Sequence, residues 1–394
     1  MNLDSFLWFG VALTVLPAVI FCIQVYIALS MRTPSIEGST VVAIEPPDTV
    51  ILMPAHNEVK VIGGTLHMLR ELVPQVRVLV VADNCTDETA VIARSEGVEV
   101  VERSSANLRG KGYALQHGIE HLRSKAPKVI IVLDADCTTT PTDMYRLAAF
   151  CVDVSRPVQG IYLMRSPSDG SIGTKIAEFA WLVKTMVRPI GWQHMGGTCQ
   201  LMGSGFALPW HIARHLDLAS GHLVEDMKLT LDLAESRHAP VFTGVSHVYS
   251  VFPSAVTSQA SQRRRWEHGH LSLLLSKVPR AVLKAAATRN PQLLSVALDL
   301  MVPPLSLLVL VLTGLTIGGV LQTAIWGLGW SAVSVWILSV TLAIGVLAIW
   351  ARWGRAVLTA REFMSIPLFV VRKLAVYGGF LWRRERQWRR TDRD

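Results

Sequence analysis

The sequence predicts an α/β domain with a mostly parallel sheet, flanked by about three transmembrane helices and by amphipathic helices at the membrane surface. Three observations carry this expectation. The 394-residue chain is 51% hydrophobic and only 17% charged, too apolar for an ordinary soluble enzyme. Three apolar runs of roughly 20 residues or more lack Lys and Arg, the length a helix needs to cross ~30 Å of hydrocarbon. Between the first and second runs, about 32–290, short β-branched segments alternate with helix-periodic ones, enough chain for one domain with a substantial core.

The first apolar run spans Phe6 to Leu29. Asp4 and no basic residue precede it, and no small-residue cleavage site follows, so an anchor is expected in place of a cleaved leader. Thr49 to Met53 reads as a strand ending at Pro54, followed by AHNE and a helix-periodic stretch to Leu72. Arg77 to Ala82 is a second strand closed by Asp83, and Thr86 or Asp87 is placed to cap an Ala-containing helix through Glu96. Val98 to Val101 and Lys128 to Leu133 complete a strand-helix alternation, the last strand delivering Asp134. Ligands collect at the carboxyl ends of such strands, where His56 to Glu58, Asp83 and Asp134 to Asp136 fall. Ile176 to Trp192 has an apolar face with basic edges, the pattern of a helix lying in the membrane interface. The second and third apolar runs are Leu293 to Val320 and Trp330 to Trp350. The expected division is therefore a helix over 1–31, the enzyme domain over 32–290, two spans over 291–351 and a basic tail over 352–394.

Charge is concentrated in that tail, where eleven Lys or Arg stand against four acidic residues and account for +7 of the chain's +8. With Arg32 it marks both flanks as cytoplasmic by the positive-inside rule. Charge that flanks a membrane helix fits anionic lipid headgroups as the partner, and nucleic acid is not expected. Glu362 to Trp382 is apolar but interrupted by Arg372 and Lys373, which favours a helix lying in the interface over a fourth span. Five cysteines form an odd set without metal-ligand spacing, so reduced thiols are expected.

Four stretches carry chemistry. Asp134 and Asp136, two apart at a strand end in VLDADC, can address a sugar or ribose hydroxyl and a divalent cation, since hard oxygen ligands suit Mg²⁺ or Mn²⁺. A strand-ending turn with an Asp cap is the plainer reading of that motif alone. In LVEDMKL, Asp226 is a candidate general base, while Glu225 is expected to point elsewhere because helix neighbours do not share a face. An acidic first helical turn would explain the same pair. In SQRRRWEHGH, an Arg fork suits phosphate oxygens and Trp266 offers a flat apolar face, while Arg263 and Arg264 are candidates for lipid headgroups.

In order and spacing, VVADNCTDET, VLDADC, LVEDMKL and QRRRW resemble the membrane-bound family 2 glycosyltransferases, the group of cellulose, chitin and hyaluronan synthases and their single-sugar relatives. The resemblance covers about Val50 to Leu275 and implies a GT-A nucleotide-sugar-binding fold. It implies that Ala55, Glu58 and Asp83 contact the nucleotide and that Lys111 and Asp134 contact the nucleotide-sugar. Asp136 would hold Mg²⁺ or Mn²⁺, Asp226 would be the catalytic base, and Gln262, Arg265 and Trp266 would serve the donor. Gly203, Ser204 and Gly205, with Trp266, would lie at the acceptor, and His247 is a further candidate metal ligand. The implied reaction is inverting, metal-dependent transfer of one sugar from a UDP-sugar to a lipid-linked acceptor on the cytoplasmic membrane face. GKGYAL, PVQGIYLM and LMGSGFALPW lean toward exopolysaccharide-cluster and glycolipid-forming members. A processive synthase of a β-linked polysaccharide, and a non-catalytic scaffold or nucleotide-sugar sensor, are the alternatives.

Overall fold

The computed structural model describes residues 3–31, 47–72 and 76–382; Arg32 and the basic stretch 383–394 lie outside them. The chain enters through α1 (Leu3–Ser30) and then alternates β1 (Thr49–Ala55), α2 (Ile62–Leu72), β2 (Arg77–Asp83), α3 (Thr89–Ser95), β3 (Glu99–Arg103), α4 (Lys111–Leu122) and β4 (Val129–Val132). Next come β5 (Thr138–Thr139), α5 (Pro141–Val154), β6 (Val158–Arg165) and α6 (Ile172–Leu182), which passes through a π-helical turn at Val183–Val187 into α7 (Arg188–His194). β7 (Phe206–Pro209), α8 (Trp210–Ala213), α9 (Glu225–Glu235) and β8 (Val241–Val251) close the domain. The N-cap position of α3 falls on Glu88, which makes no side-chain cap bond; the expected Asp87 stands one residue earlier, its Oδ1 accepting from the Thr89 amide at 3.1 Å.

The eight strands form one sheet in the order β3-β2-β1-β4-β7-β6-β8-β5. β3, β2, β1 and β4 run parallel; β7 is antiparallel to β4 and β6, β6 is parallel to β8, and β5 is antiparallel to β8. Six of eight strands thus share one direction, and only β7 and β5 oppose it. Val50 to Met53 in β1 are wholly buried because helices cover both faces. Leu66 of α2 and Leu147 of α5 share one buried cluster with Ile51 and Met53, while Leu115 of α4 and Leu233 of α9 share another with Val50 and Leu52.

After the domain come α10 (Val256–Ser276), α11 (Val278–Ala287), α12 (Pro291–Met301), α13 (Leu305–Trp326), α14 (Trp330–Ile349), α15 (Ala360–Phe363), α16 (Ile366–Arg372) and α17 (Leu374–Trp382). The second apolar run is not one helix from Leu293. It breaks at Val302–Pro304, because Pro303 and Pro304 lack amide donors and disfavour helical backbone before them, and the spanning helix begins at Leu305. Among the described residues four helical stretches are long and apolar enough to cross a membrane: Leu3–Ser30, Leu305–Trp326, Trp330–Gly354 and Ala360–Phe380. The fourth is divided into α15, α16 and α17, and it is tied down from the domain side. Lys175 Nζ lies 2.7 Å from Glu362, Lys373 pairs with Glu267, and Ser306 and Tyr377 share a hydroxyl hydrogen bond of 2.6 Å.

The segment expected to lie in the membrane interface, Ile176 to Trp192, is packed against α1. A Cβ on Gly191 would stand 1.8 Å from the Gln24 carbonyl oxygen, so only glycine permits this crossing. Beside it a buried polar network crosses from α1 to the domain. Arg188 donates from Nε to Gln24 Oε1 at 2.7 Å and from Nη2 to Asp299 Oδ1 at 2.8 Å. Gln24 and Gln200 donate to the two oxygens of the same carboxylate at 2.7 and 2.8 Å.

Candidate active site

The carboxyl ends of β1, β2 and β4, the loop before β7, the start of α9 and the middle of α10 border one cavity of about 190 Å³. Ala55, Glu58, Asp83, Lys111, Asp134, Asp136, Gly203, Asp226, Gln262, Arg265 and Trp266 all line it. They are brought together because parallel strands end on one edge of the sheet, where the loops that follow them are free to carry polar side chains.

At the β1–β2 end, Arg103, the last residue of β3, donates to Asp83 Oδ1 at 2.5 Å and to the Leu108 carbonyl at 2.9 Å. His56 Nδ1 lies 2.6 Å from the Asp83 carbonyl oxygen. The carboxylate of Asp83 is therefore fixed before any ligand arrives. At the centre, Lys111 donates to Asp134 and, at 2.8 Å, to the Gly203 carbonyl, joining the DAD turn to the loop ahead of β7. Burial works against the charge of Lys111, but Asp134 and Glu225 outweigh it and its pKa lies above the ordinary value. A Cβ on Gly112 would stand 2.3 Å from the Leu218 carbonyl oxygen, so the glycine beside Lys111 serves backbone packing with the 218–220 loop.

Glu225 and Asp226 both line the cavity, contrary to the expectation that Glu225 faces elsewhere. They are the first two residues of α9, and a helix that meets a cavity end-on presents its whole first turn to it. Asp226 Oδ1 accepts from the Met227 amide at 2.8 Å. Burial, reinforced by Asp226, pushes the Glu225 carboxyl up to about 7. Burial also raises the Asp226 carboxyl, opposed by the ammonium of Lys184 and then of Lys111. The pair thus holds a proton at a pH where isolated carboxyls have none, the arrangement general acid-base chemistry requires.

Residues 129–369 match glycosyl transferase family group 2, and residues 50–189 match glycosyl transferase family 2. The chain belongs to glycosyl transferase family group 2. A 4,4'-diaponeurosporenoate glycosyltransferase of Staphylococcus aureus (strain MRSA252) is 40% identical over 91 residues, 22% of this chain and 24% of its own length. An uncharacterized protein of Methanocaldococcus jannaschii is 37% identical over 111 residues, 28% of this chain and 44% of its own length. The chain spans less than half the length of these curated relatives. A solved mannosyltransferase from Pyrobaculum calidifontis, in complex with GDP-Man and Mn²⁺, shares the fold with a TM-score of 0.58 and 15% identity, covering 98% of this chain and 100% of its own. The chain carries a glycosyl transferase family 2 domain with a GT-A fold, beside helices long and apolar enough to cross a membrane.

Within this transferase two expected acceptor residues lie elsewhere. Ser204 is wholly buried, its Oγ accepting from the Asp134 amide at 3.0 Å, and Gly205 is held in the sheet by the Val132 carbonyl at 2.9 Å. They brace the DAD turn from beneath, and Gly203 alone of the three lines the cavity. His247 also stands apart, with Nδ1 3.4 Å from Asp143 Oδ1, so it completes no metal site with Asp136. Trp266 has one ring face covered by Trp181, their centroids 4.9 Å apart.

The donor set suits a divalent ion that also binds its substrate. Among the described residues no cluster of three or more His, Cys, Asp or Glu could enclose a metal. Asp136 lines the cavity with Oδ2 accepting from Ser250 Oγ at 2.6 Å, and Lys111 engages Asp134. One or two carboxylates completed by phosphate oxygens and water is how Mg²⁺ is held in phosphate-handling sites, so Asp136 fits such an ion.

Arg103, Trp181 and Lys184 were not singled out from sequence. Arg103 ends a strand like many surface arginines. Trp181 and Lys184 sit in a run read from sequence only as an apolar face with basic edges, Lys184 within a π-helical turn of the kind that collects at functional sites and Trp181 just before it.

Proposed function

We propose that the protein transfers one sugar, with inversion, from a UDP-sugar to a lipid-linked acceptor on the cytoplasmic face of a bacterial-type inner membrane, in exopolysaccharide or glycolipid synthesis. The observation that carries this reading is the convergence on one cavity of Asp83, the DAD turn, the Glu225–Asp226 pair and Trp266, in a domain fastened to membrane helices. Ala55, Glu58 and Asp83 hold the nucleoside end, with Arg103 orienting the Asp83 carboxylate. Asp226 accepts the proton of the acceptor hydroxyl as its oxygen attacks the anomeric carbon. The bond from that carbon to the diphosphate oxygen breaks, UDP departs, and the proton remains on Asp226. Arg265 faces the leaving phosphates, and Lys111 holds the Asp134 carboxylate turned to the sugar. Asp136 would hold a Mg²⁺ or Mn²⁺, which would supply neutralisation of charge on the leaving diphosphate. The mannosyltransferase of the same fold was solved with a nucleotide-sugar and Mn²⁺, which agrees with this donor and ion class.

The membrane part supports single transfer. α13 and α14 are joined by only Gly327–Gly329, and the spans are apolar nearly throughout, so little polar material is available to line a polysaccharide tunnel. The test is incubation of the purified protein with a panel of nucleotide-sugars and membrane lipids, followed by mass analysis of the lipid fraction over time. A lipid one sugar heavier and unchanged on longer incubation is expected. A ladder or high-mass polymer overturns single transfer, and absence of any glycosylated lipid overturns the lipid acceptor.

A further inference from the structure

A second cavity, of about 130 Å³, borders the catalytic one and shares Trp181, Lys184, Met227 and Trp266 with it. Its opposite wall is apolar and belongs to the membrane part, with Phe21 from α1 and Pro303, Pro304 and Leu305 at the mouth of α13. The Pro303–Pro304 break matters here, because a continuous helix from Leu293 would carry no such bend beside the domain.

Four cations reach this cavity, Lys184, Arg188, Arg263 and Lys373, against one carboxylate, Glu267. Glu267 is taken by Lys373, and Arg188 is taken by Asp299. Among the described residues Lys184 and Arg263 make no ion pair: Lys184 lies over the Trp181 ring at 5.1 Å, and Arg263 donates within its own helix to Gln259. Asp226 acts on Lys184 and Glu267 on Arg263 only from beyond ion-pair distance, so two cations in a partly dehydrated, apolar-walled slot are held at an electrostatic cost, which an anion of matching geometry lowers. The same slot continues into the cavity that contains Asp226. Its chemistry is that of an amphiphile site, with hydrocarbon against Phe21 and the prolines and negative charge between Lys184 and Arg263.

We propose that this second cavity binds the acceptor as a phosphate-bearing lipid, its hydrocarbon chain against Phe21 and Pro303–Leu305 and its phosphate between Lys184 and Arg263. The proposal rests on the lipid-acceptor reading above and names the acceptor's class and path. Arg263, a QRRRW residue that the donor does not use, becomes a headgroup ligand. Guanidinium and ammonium together favour phosphate over a neutral glycoside head.

The test uses the full chain in phosphatidylcholine nanodiscs and a diazirine-bearing dodecyl phosphate, with cross-linked peptides mapped by mass spectrometry. Labelling within 177–188 and 302–306 is expected, displaced by dodecyl phosphate at least about tenfold better than by dodecyl glucoside or laurate. Ala180→Phe, which fills this cavity from a position outside the catalytic one, is expected to lower that labelling about tenfold with UDP binding retained as the control for folding. Arg263→Gln is expected to remove most of the preference for phosphate. Labelling spread over the exposed faces of α13 and α14 without competition overturns the site. Equal competition by the glucoside overturns the phosphate, and better competition by laurate assigns the cations to a carboxylate. The readout needs no sugar transfer, so it separates from the earlier reading. Glycosylated lipid without this labelling sinks the site alone, and this labelling without glycosylated lipid sinks the acceptor role.

Discussion

Replacing Glu225 with glutamine is expected to stabilise the protein at alkaline pH, because the native fold holds a carboxyl where it resists ionisation. Burial and the neighbouring Asp226 move the Glu225 carboxyl from an ordinary 4.5 to about 7. Between those two values the folded state keeps a proton that the unfolded chain has released. Stability therefore falls as pH rises through this window and levels off above about 7. At about 1.4 kcal/mol per pH unit, full ionisation costs the wild type about 3 kcal/mol relative to pH values below 4.5. Glu225→Gln keeps the shape and removes the charge, so it is expected to be more stable than wild type by up to about 3 kcal/mol at pH 8, with the difference vanishing toward pH 4.5. The measurement is urea unfolding followed by tryptophan fluorescence in one detergent at several pH values. A gain of equal size at pH 5 and pH 8 would refute the charge argument, as would a variant less stable than wild type at pH 8.

Asp226→Asn is expected to leave UDP affinity near normal and to lower transfer roughly 100-fold or more, whereas Asp83→Asn weakens UDP binding; equal effects on UDP affinity, measured by calorimetry, would contradict the division of roles. Excess chelator is expected to abolish transfer and Mn²⁺ or Mg²⁺ to restore it, and Asp136→Asn to lose both rate and metal response in a UDP-release assay. Asp299→Ala leaves Arg188 charged and buried with Gln24 and a backbone carbonyl as its remaining partners, at a cost of about 3–5 kcal/mol. The double variant Arg188→Met, Asp299→Leu is expected to recover most of that loss in thermal unfolding, since no charge is then stranded.

The catalytic strands were legible because each ends on a polar residue that a buried parallel strand excludes. Asp83 and Asp134 follow VLVVA and VIIVL, and both line the cavity. The four motifs converge as their order predicts. What could not be read was orientation within a turn or loop. Glu225 shares the cavity with Asp226 because α9 meets it end-on, and Ser204 turns beneath the DAD turn because the Asp134 amide claims its hydroxyl. Hydropathy likewise found the spans but not their packing. The apolar face over Ile176 to Trp192 is the same whether lipid or α1 covers it, and only Gly191 against Gln24 distinguishes the two. Lys184 and Arg103 were hidden for another reason, since each acquires a role only through a partner distant in sequence.

The junction of Gln24, Arg188, Gln200 and Asp299 makes the enzyme a ruler. It fastens the first membrane helix to the α12 segment, the α7 helix and the loop leading to β7, all buried and mutually hydrogen-bonded. A domain carried on a loose tether would sample many heights above the bilayer and accept headgroups of many lengths. Here the height of Asp226 is set by the depth at which α1 sits. For the proposed lipid-linked acceptor this sets how far the nucleophile must stand from the hydrocarbon, and inserting residues into α1 on the Gln24 side is expected to change which acceptors are reached before it changes the chemistry.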